Sequence, residues 1–262
     1  MPPLYPKMRE RPLEFRINQA SRLYDSLAFA ALGRGANMKS LIFDSGPLQS
    51  HGTLVGADVE TSLVWFDELN RWGIYADSSA NRFVNLRTPV WTPGEFTYVA
   101  FVLGNVTGIA FDAQASYVLF RTGNTLYFRA TGERSSAIIG QLANVWNQWG
   151  VRRDADDAIT FWLNGTSYVP YERPHNPGAF TCTKYMGNYS DYYLRGPICD
   201  GMIWRRALSQ AEMQALADPS NIDLRVGGIP LILPPRRRYW PVVSEQALPK
   251  MVPWHLFQQV GV

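Results

Sequence analysis

The stretch GPICDGMIWRRALSQAEMQAL, residues 196 to 216, decides the fold class of this chain. Its first half has the two-residue period of a β-strand. The residues expected on one face of that strand are Ile198, Asp200, Met202 and Trp204. Its second half places Ser209 and Glu212 in the S-x-x-E spacing of a capping box. This spacing predicts a short helix, whose inward residues would be Met213, Leu216 and Ala217. A final strand that runs directly into one late helix is the ending of a β-sandwich.

The rest of the sequence reads as short strands separated by turn residues. Gly123-Asn124 and residues 155 to 157 have the composition of hairpin turns. FTYVAFVL, residues 96 to 103, is apolar on both faces, which predicts a central strand of a sandwich whose outer face is also covered. Strands are expected at 23–32, 38–43, 61–66, 71–76, 82–87, 95–103, 115–121, 124–130, 135–139, 147–153, 158–163, 167–171, 179–186 and 195–205. Many strands and one helix predict an all-β domain.

Three motifs resemble laminin-G-like, concanavalin A-like jelly rolls. The opening stretch resembles their closing motif, roughly G-x-I-D-D-V-R-I-Y-N-R-A-L-S-x-x-E-I-x-x-L, although Cys199 and Gly201 replace its usual Asp and Val. NQWGVRRDADDAITFWLNG (147–165) resembles the family's strand, acidic turn and strand. LAFAALG (27–33) with FDSGPLQSHGTLVG (43–56) resembles the opening strand and turn of versions from tailed bacteriophages. The resemblance implies a jelly-roll β-sandwich over residues 23–218 with one short C-terminal helix.

The two ends, residues 1–22 and 219–262, are predicted to be extended arms because prolines interrupt them throughout. Both are basic, with net charges of +3 in residues 1–22 and +4 in residues 225–262. Their apolar side chains are costly to leave in water. We therefore expect the arms to lie on neighbouring subunits, and packing against their own sandwich is the alternative. The residues expected to contact partners are Leu4, Tyr5, Phe15, Leu231, Arg236, Arg237, Arg238, Tyr239, Trp240, Trp254 and Phe257.

Apolar, basic arms on a phage-like jelly roll predict a virion structural protein, assembled in the host cytoplasm. A capsid decoration or cement protein fits best, with capsid or tail subunits and further copies of itself as partners. The start of the chain lacks the apolar core of a secretory signal, and no apolar run is long enough to span a membrane. Nucleic acid is not expected as a partner, because Arg236 to Arg238 form only a small patch.

Catalysis is not expected. Glucanases of this fold carry E-x-D-x-x-E, so that two carboxylates flank the glycosidic bond, and this chain has no such run. The acidic residues Asp154, Asp156 and Asp157 occupy a predicted turn. No cofactor or metal site is predicted. Cys182 and Cys199 are expected to be buried thiols, and a cross-strand disulfide is the alternative if residues 179–186 and 195–204 form a hairpin.

The second function hypothesis is a carbohydrate-binding adhesion module of a head or tail fibre that recognises host-surface polysaccharide. Sugar binding needs aromatic faces beside amide or carboxylate groups. NYSDYYLR (188–195) offers both at a predicted hairpin tip, and a further Trp lies in a Pro-flanked loop. The predicted glycan-binding residues are Asn188, Tyr189, Asp191, Tyr192, Tyr193 and Trp91. The alternative is that the tyrosines pack on the sandwich or on a neighbour.

Overall fold

The computed structural model describes most of the central domain and short pieces of both arms. The described residues are 16–17, 22–31, 41–42, 46–56, 63–66, 71–75, 83–104, 106–113, 116–131, 133–140, 145–170, 178–189, 192–217, 225–226, 229–230 and 232–233. Within them, no helix has the length and apolar character needed to cross a membrane.

Short antiparallel strands account for most of the described chain. They are β1 (Arg16–Ile17), β2 (Leu27–Ala31), β3 (Leu41–Ile42), β4 (Gly52–Val55), β5 (Leu63–Phe66), β6 (Arg71–Tyr75), β7 (Phe83–Thr92), β8 (Phe96–Leu103), β9 (Gly108–Ala113), β10 (Ser116–Thr122), β11 (Thr125–Ala130), β12 (Glu133–Ile138), β13 (Trp146–Arg153), β14 (Ile159–Leu163), β15 (Thr166–Tyr168), β16 (Phe180–Tyr189), β17 (Tyr192–Tyr193), β18 (Pro197–Trp204), β19 (Arg225–Val226), β20 (Ile229–Pro230) and β21 (Ile232–Leu233). A 3-10 helix spans Arg22–Tyr24, and α1 spans Gln210–Ala217.

Two antiparallel sheets form the sandwich. The larger has the order β12-β11-β10-β9-β16-β7-β4-β3, and β17 also pairs with β16. The smaller has the order β15-β14-β13-β8-β18-β6-β5, and β2 also pairs with β18. The prediction of an all-β jelly-roll sandwich with one short C-terminal helix is therefore confirmed.

The main core lies between the two sheets and is rich in aromatic rings. Phe180 of the larger sheet lies 5.3 Å from Phe96 of the smaller sheet, centroid to centroid, and Phe111 lies 5.2 Å from Tyr98. All four rings are at least 94% buried. Edge-to-face pairs of this kind add about 0.5–1.5 kcal/mol each beyond the burial of their area. These contacts hold the sheets together across the sandwich.

A second apolar layer covers the outer face of the smaller sheet. Met213 and Leu216 of α1 are fully buried there, together with Leu23 of the 3-10 helix and Trp204 of β18. The Trp204 indole donates a hydrogen bond from Nε1 to the Leu23 carbonyl at 2.6 Å, which connects the 3-10 helix to β18. Because both of its faces are covered, the middle strand β8 is buried along almost its whole length, as its sequence predicted.

A β-bulge corrects the predicted faces of β18. Cys199 pairs with Phe101 and Met202 pairs with Val99, so two residues of β18 oppose the single residue between them on β8. Asp200, at the bulge, has a positive φ of 46°. The alternation changes phase there: Ile198 and Ile203 face the main core, whereas Cys199, Met202 and Trp204 face the outer layer. The expectation that Ile198, Asp200, Met202 and Trp204 share a face was wrong, because a simple two-residue period cannot include the extra residue.

The close approach of the opposite sheet explains Gly201. A Cβ on this residue would lie only 2.3 Å from Cε2 of the Tyr185 ring. The departure from the usual Val at this position therefore makes room for an aromatic side chain of the larger sheet.

Neither cysteine forms a disulfide, and both are buried. Cys182 lies in the main core on β16, whereas Cys199 lies in the outer layer on β18. The two strands belong to different sheets, so the hairpin that a cross-strand disulfide required does not form. The expectation of two buried thiols is confirmed, and the alternative of a cross-strand disulfide is wrong.

Small parts of both arms are described. Arg16 pairs with Leu233 and Ile17 pairs with Ile232, so the two arms meet through a short antiparallel ladder. The predicted partner-binding residues lie outside the described residues: Leu4, Tyr5, Phe15, Leu231, Arg236, Arg237, Arg238, Tyr239, Trp240, Trp254 and Phe257.

Candidate glycan-binding site

The predicted hairpin tip forms at the end of β16. Asn188 pairs with Tyr193 and Tyr189 pairs with Tyr192, which leaves two residues between the strands. These two, including the predicted site residue Asp191, lie outside the described residues. Tyr193 is half-buried. A hairpin tip therefore lies where the sequence placed it, but it joins β16 to the short strand β17, because the expected partner strand at 195–204 belongs to the other sheet as β18.

Trp91 lies in β7 and not in the loop that its flanking prolines suggested. Its neighbours Val90 and Thr92 are both fully buried. Because successive side chains of a strand alternate between faces, the indole lies on the outer face of the larger sheet. It is 52% exposed, more than any other aromatic side chain in the described part of the chain.

The two halves of the predicted site are not brought together. Trp91 pairs with Thr181 near the start of β16, whereas Asn188 lies seven residues further along the same strand. At about 3.3 Å per residue, the indole and the hairpin are roughly 20 Å apart. Trp91 and the tyrosine hairpin are thus separate surfaces at opposite ends of β16.

Arg205 supplies the polar partner of Trp91. It follows β18 directly, is exposed, and donates a hydrogen bond from Nε to the Trp91 carbonyl at 3.1 Å. Its backbone N–H donates a hydrogen bond to the carbonyl of Ser26 at 2.8 Å, which fixes the backbone from which the side chain extends. The side chain therefore reaches from the end of the smaller sheet to the rim of the larger one.

Two further groups complete this rim. Thr181, directly opposite Trp91 on β16, is half-buried and carries a hydroxyl. Glu95 is exposed in the short turn between β7 and β8. We call these four residues, Trp91, Thr181, Glu95 and Arg205, the Trp91 rim. Their positions bring an aromatic face, a guanidinium, a hydroxyl and a carboxylate to one edge of the sandwich, and protein sites that hold sugar rings combine groups of these kinds.

Side-chain hydrogen bonds connect the elements next to the rim. The Thr92 hydroxyl and the Tyr98 hydroxyl are 2.8 Å apart and buried, which links β7 to β8 across the sandwich. Arg206 bonds both carboxylate oxygens of Glu212, with distances of 3.0 and 2.6 Å. Glu212 also accepts the Ser209 backbone N–H at 2.7 Å, so the predicted capping box is present at the start of α1.

The acidic turn between β13 and β14 is built from local contacts. One oxygen of Asp154 accepts the backbone N–H groups of Asp156 and Ala158 at 3.1 and 2.9 Å. Asp157 pairs with Arg153. Across the described ranges, no three His, Cys, Asp or Glu side chains are grouped closely enough to hold a metal ion.

Arg205, Thr181 and Glu95 were not predicted as site residues. Arg205 is 114 residues from Trp91 in sequence, and the closing motif presents it simply as part of its Arg-Arg pair. Arg205 can be identified as a neighbour of Trp91 only when the strand order is known, because that order places the end of β18 near the end of β7.

No protein-family model matches this sequence, and no curated protein sequence matches it either. Several solved structures share its fold. The binding domain of Paraclostridial Mosquitocidal Protein 1 is 16% identical with a TM-score of 0.51, and the match covers 76% of this chain and 53% of that chain. The binding domain of botulinum neurotoxin serotype G is 16% identical with a TM-score of 0.52, over 72% of this chain and 50% of that one. Domain 4 of AbnA, a GH43 extracellular arabinanase from Geobacillus stearothermophilus solved with arabinotriose, is 14% identical with a TM-score of 0.50, over 73% of this chain and all of that one.

The chain thus spans about half the length of the two toxin binding domains and the full length of the arabinanase domain. At these identities, the likeness establishes a common architecture. The chain has the β-sandwich fold that these binding domains share.

Proposed function

We propose that this chain is a glycan-binding β-sandwich module and that a sugar ring stacks on Trp91. The observation that carries the proposal is the half-exposed indole, with the guanidinium of Arg205 tied to its backbone. The exposed half of the indole is apolar surface that stays in contact with water until a ligand covers it. Its rigid ring and its polar neighbours suit the flat, hydroxyl-edged face of a pyranose.

The exposed area sets the size of the expected effect. A Trp side chain offers about 200 Å², and about half of this area is exposed here. A sugar that covers one face removes roughly 50 Å² of apolar surface, which contributes about 1–1.5 kcal/mol at 25 cal/mol/Å². Loss of the indole should therefore weaken binding about tenfold.

The shared fold supports a binding role. The arabinanase domain, which this chain matches over that domain's full length, was solved with arabinotriose. The toxin structures are named as binding domains. The proposed role needs no catalysis, and release of reducing sugar from a bound polysaccharide would contradict that part of the proposal.

The test is a glycan array followed by titration calorimetry on the strongest ligand, with wild type, Trp91→Ala and a matched control. Tyr75→Ala is the control, because Tyr75 is 45% exposed on β6, outside the Trp91 rim. We expect Trp91→Ala to lose about tenfold in affinity and Tyr75→Ala to bind like wild type. Equal binding by all three proteins would exclude the Trp91 rim, and no binding of any glycan would exclude the function.

The tyrosine hairpin stays a prediction as a second glycan surface. Its residues Asn188, Tyr189, Tyr192 and Tyr193 lie together in the register of β16 and β17. A Tyr192→Ala, Tyr193→Ala double variant with unchanged glycan binding would leave only a packing role for them.

We also propose that the module is carried on a virion, as a capsid decoration or cement protein or as a component of a head or tail fibre. The composition of the arms supports this role, since apolar and basic segments suit the surface of a neighbouring subunit. The ladder between β1 and β21 supports a joint role for the two arms, because it connects them to each other.

Deletion of residues 219–262 tests the anchoring role. We expect the truncated chain to keep its glycan binding and to be lost from assembled particles. Full incorporation of the truncated chain would contradict anchoring through the C-terminal arm. Protease resistance of both ends in a purified monomer would instead favour packing of the arms on their own sandwich.

A further inference from the structure

We infer that the glycan bound at the Trp91 rim carries a carboxylate and that Arg205 binds this carboxylate beside the sugar stacked on Trp91. The inference rests on the proposed function and names its ligand class. It covers uronic acids within a polysaccharide and sialic acids at the end of a glycan, because both present a carboxylate attached to a sugar ring.

The orientation of Arg205 carries the inference. Its Nε is used by the Trp91 carbonyl, and its backbone N–H is used by Ser26. The two Nη groups have no protein acceptor within the described part of the chain, and the side chain is exposed. A guanidinium fixed through Nε presents its two Nη groups together, which is a geometry that binds a carboxylate with two parallel hydrogen bonds.

The neighbouring arginines do not share this property. Arg206 uses Nε on the carbonyl of Asp25 and both Nη groups on Glu212. Arg153 uses Nε and Nη2 on Asp157 and Nη1 on the carbonyl of Gly178. Arg206 and Arg153 thus use all their donor groups within the protein, whereas Arg205 keeps both Nη groups for a ligand.

The charge of Arg205 is also not neutralised by an ion pair. Ion pairs between described residues include those of Arg153 with Asp157, Lys184 with Asp112 and Arg206 with Glu212. No described carboxylate pairs with Arg205. An incoming carboxylate therefore gains a charge-assisted bond without having to displace a protein partner.

Two exposed carboxylates at this end of the sandwich favour ligands of low charge density over densely charged polymers. Glu95 lies in the turn after Trp91, and Asp25 lies beside Ser26, which holds Arg205. Both carboxylates repel a densely charged polymer such as a sulfated polysaccharide, and both accept hydrogen bonds from sugar hydroxyls. The arrangement suits a ligand with one carboxylate per sugar and free hydroxyls around it.

The experiment compares matched ligands by titration calorimetry. Oligogalacturonate is compared with the same oligosaccharide after chemical reduction of its carboxyl groups, and sialyllactose is compared with lactose. Dextran sulfate is the probe for charge alone. The proteins are wild type, Arg205→Gln, Trp91→Ala and Arg195→Gln. Arg195 is the matched control because it is also exposed but precedes β18, whereas Arg205 follows it.

We expect wild type to bind at least one carboxylated ligand about tenfold or more tightly than its uncharged counterpart. Arg205→Gln should remove this preference, so that the charged ligand and its uncharged counterpart bind with equal affinity. Trp91→Ala should weaken both ligands, and Arg195→Gln should behave like wild type. Preference for oligogalacturonate or for sialyllactose identifies which source of carboxylate is bound.

Three results overturn the inference. Equal binding of charged and uncharged ligands, with Trp91→Ala still defective, excludes the carboxylate and leaves the proposed glycan function intact. Binding of dextran sulfate as tight as that of oligogalacturonate, and unaffected by Arg205→Gln, shows general charge attraction elsewhere on the protein. Failure of every sugar to bind excludes both the inference and the proposed function.

Discussion

Replacement of Gln148 by Met should weaken the attachment of α1 to the sandwich with little change in the volume of the core. Gln148 is fully buried on β13. Its Nε2 donates a hydrogen bond to the carbonyl of Met213 in α1 at 3.1 Å, and its Oε1 accepts the backbone N–H of Gly165 at 3.0 Å. One side chain therefore connects the helix to the turn after β14.

The expected loss follows from these two bonds. A Met side chain fills a similar space but leaves a buried carbonyl and a buried N–H without this partner. Each buried polar group left unpaired costs about 1–3 kcal/mol, and the added apolar contact offsets about 1 kcal/mol. The free energy of unfolding should fall by about 1–5 kcal/mol, with a central value of about 3 kcal/mol.

Urea denaturation followed by tryptophan fluorescence measures this loss. The matched control is Gln214→Met, the same chemical change on the exposed face of α1, which should shift the free energy of unfolding by no more than about 0.5 kcal/mol. With a slope of about 2–3 kcal/mol/M, the midpoint of Gln148→Met should fall by roughly 1 M. A midpoint equal to that of Gln214→Met would refute the role of Gln148 as the connection.

Two further predictions concern pH and thiol reactivity. Burial opposes ionisation of Glu212, but hydrogen bonds from Arg206 and Ser209 outweigh it and lower the pKa of Glu212 below its ordinary value of 4.5. Because the folded pKa is the lower one, its stabilising contribution is complete above about pH 4.5 and is lost as the pH falls through the folded pKa. Wild type should therefore lose more stability than Glu212→Gln when urea curves are recorded at successively lower pH, and parallel losses would contradict the cap. Burial also raises the pKa of the Cys182 thiol, and Cys199 is only 2% exposed. A thiol reagent should label neither cysteine in the folded chain and both in urea, so rapid labelling before unfolding would argue against the packing.

Much of the fold was predictable because local patterns matched the final contacts. FTYVAFVL lies in the centre of the smaller sheet, and the S-x-x-E spacing formed the cap of α1. The strand β9, residues Gly108–Ala113, was not predicted. It has no alternation of apolar and polar residues, because all six of its positions are buried and Asp112 pairs with Lys184.

The candidate site was only partly predictable. Trp91 could be singled out because an aromatic side chain between prolines suggests a surface position. Its partner Arg205 could not be identified, because it lies beside Trp91 only where the ends of two different sheets meet. The contact between them is a hydrogen bond to the backbone carbonyl of Trp91, and a sequence pattern does not reveal such a bond. The tyrosine hairpin was predicted from turn composition, but its distance from Trp91 required the register of β16.

The bulge at Asp200 restricts where β18 can change in length. Removal of one residue there would restore a regular ladder opposite Ala100 and leave Met202, Ile203 and Trp204 in their present layers. A deletion that left the bulge in place would shift the register by one residue, so that Trp204 would face the main core and Ile203 the outer layer beneath α1. Natural insertions and deletions in this segment should therefore concentrate at a single point, so that relatives one residue shorter still close their sandwich in the same way.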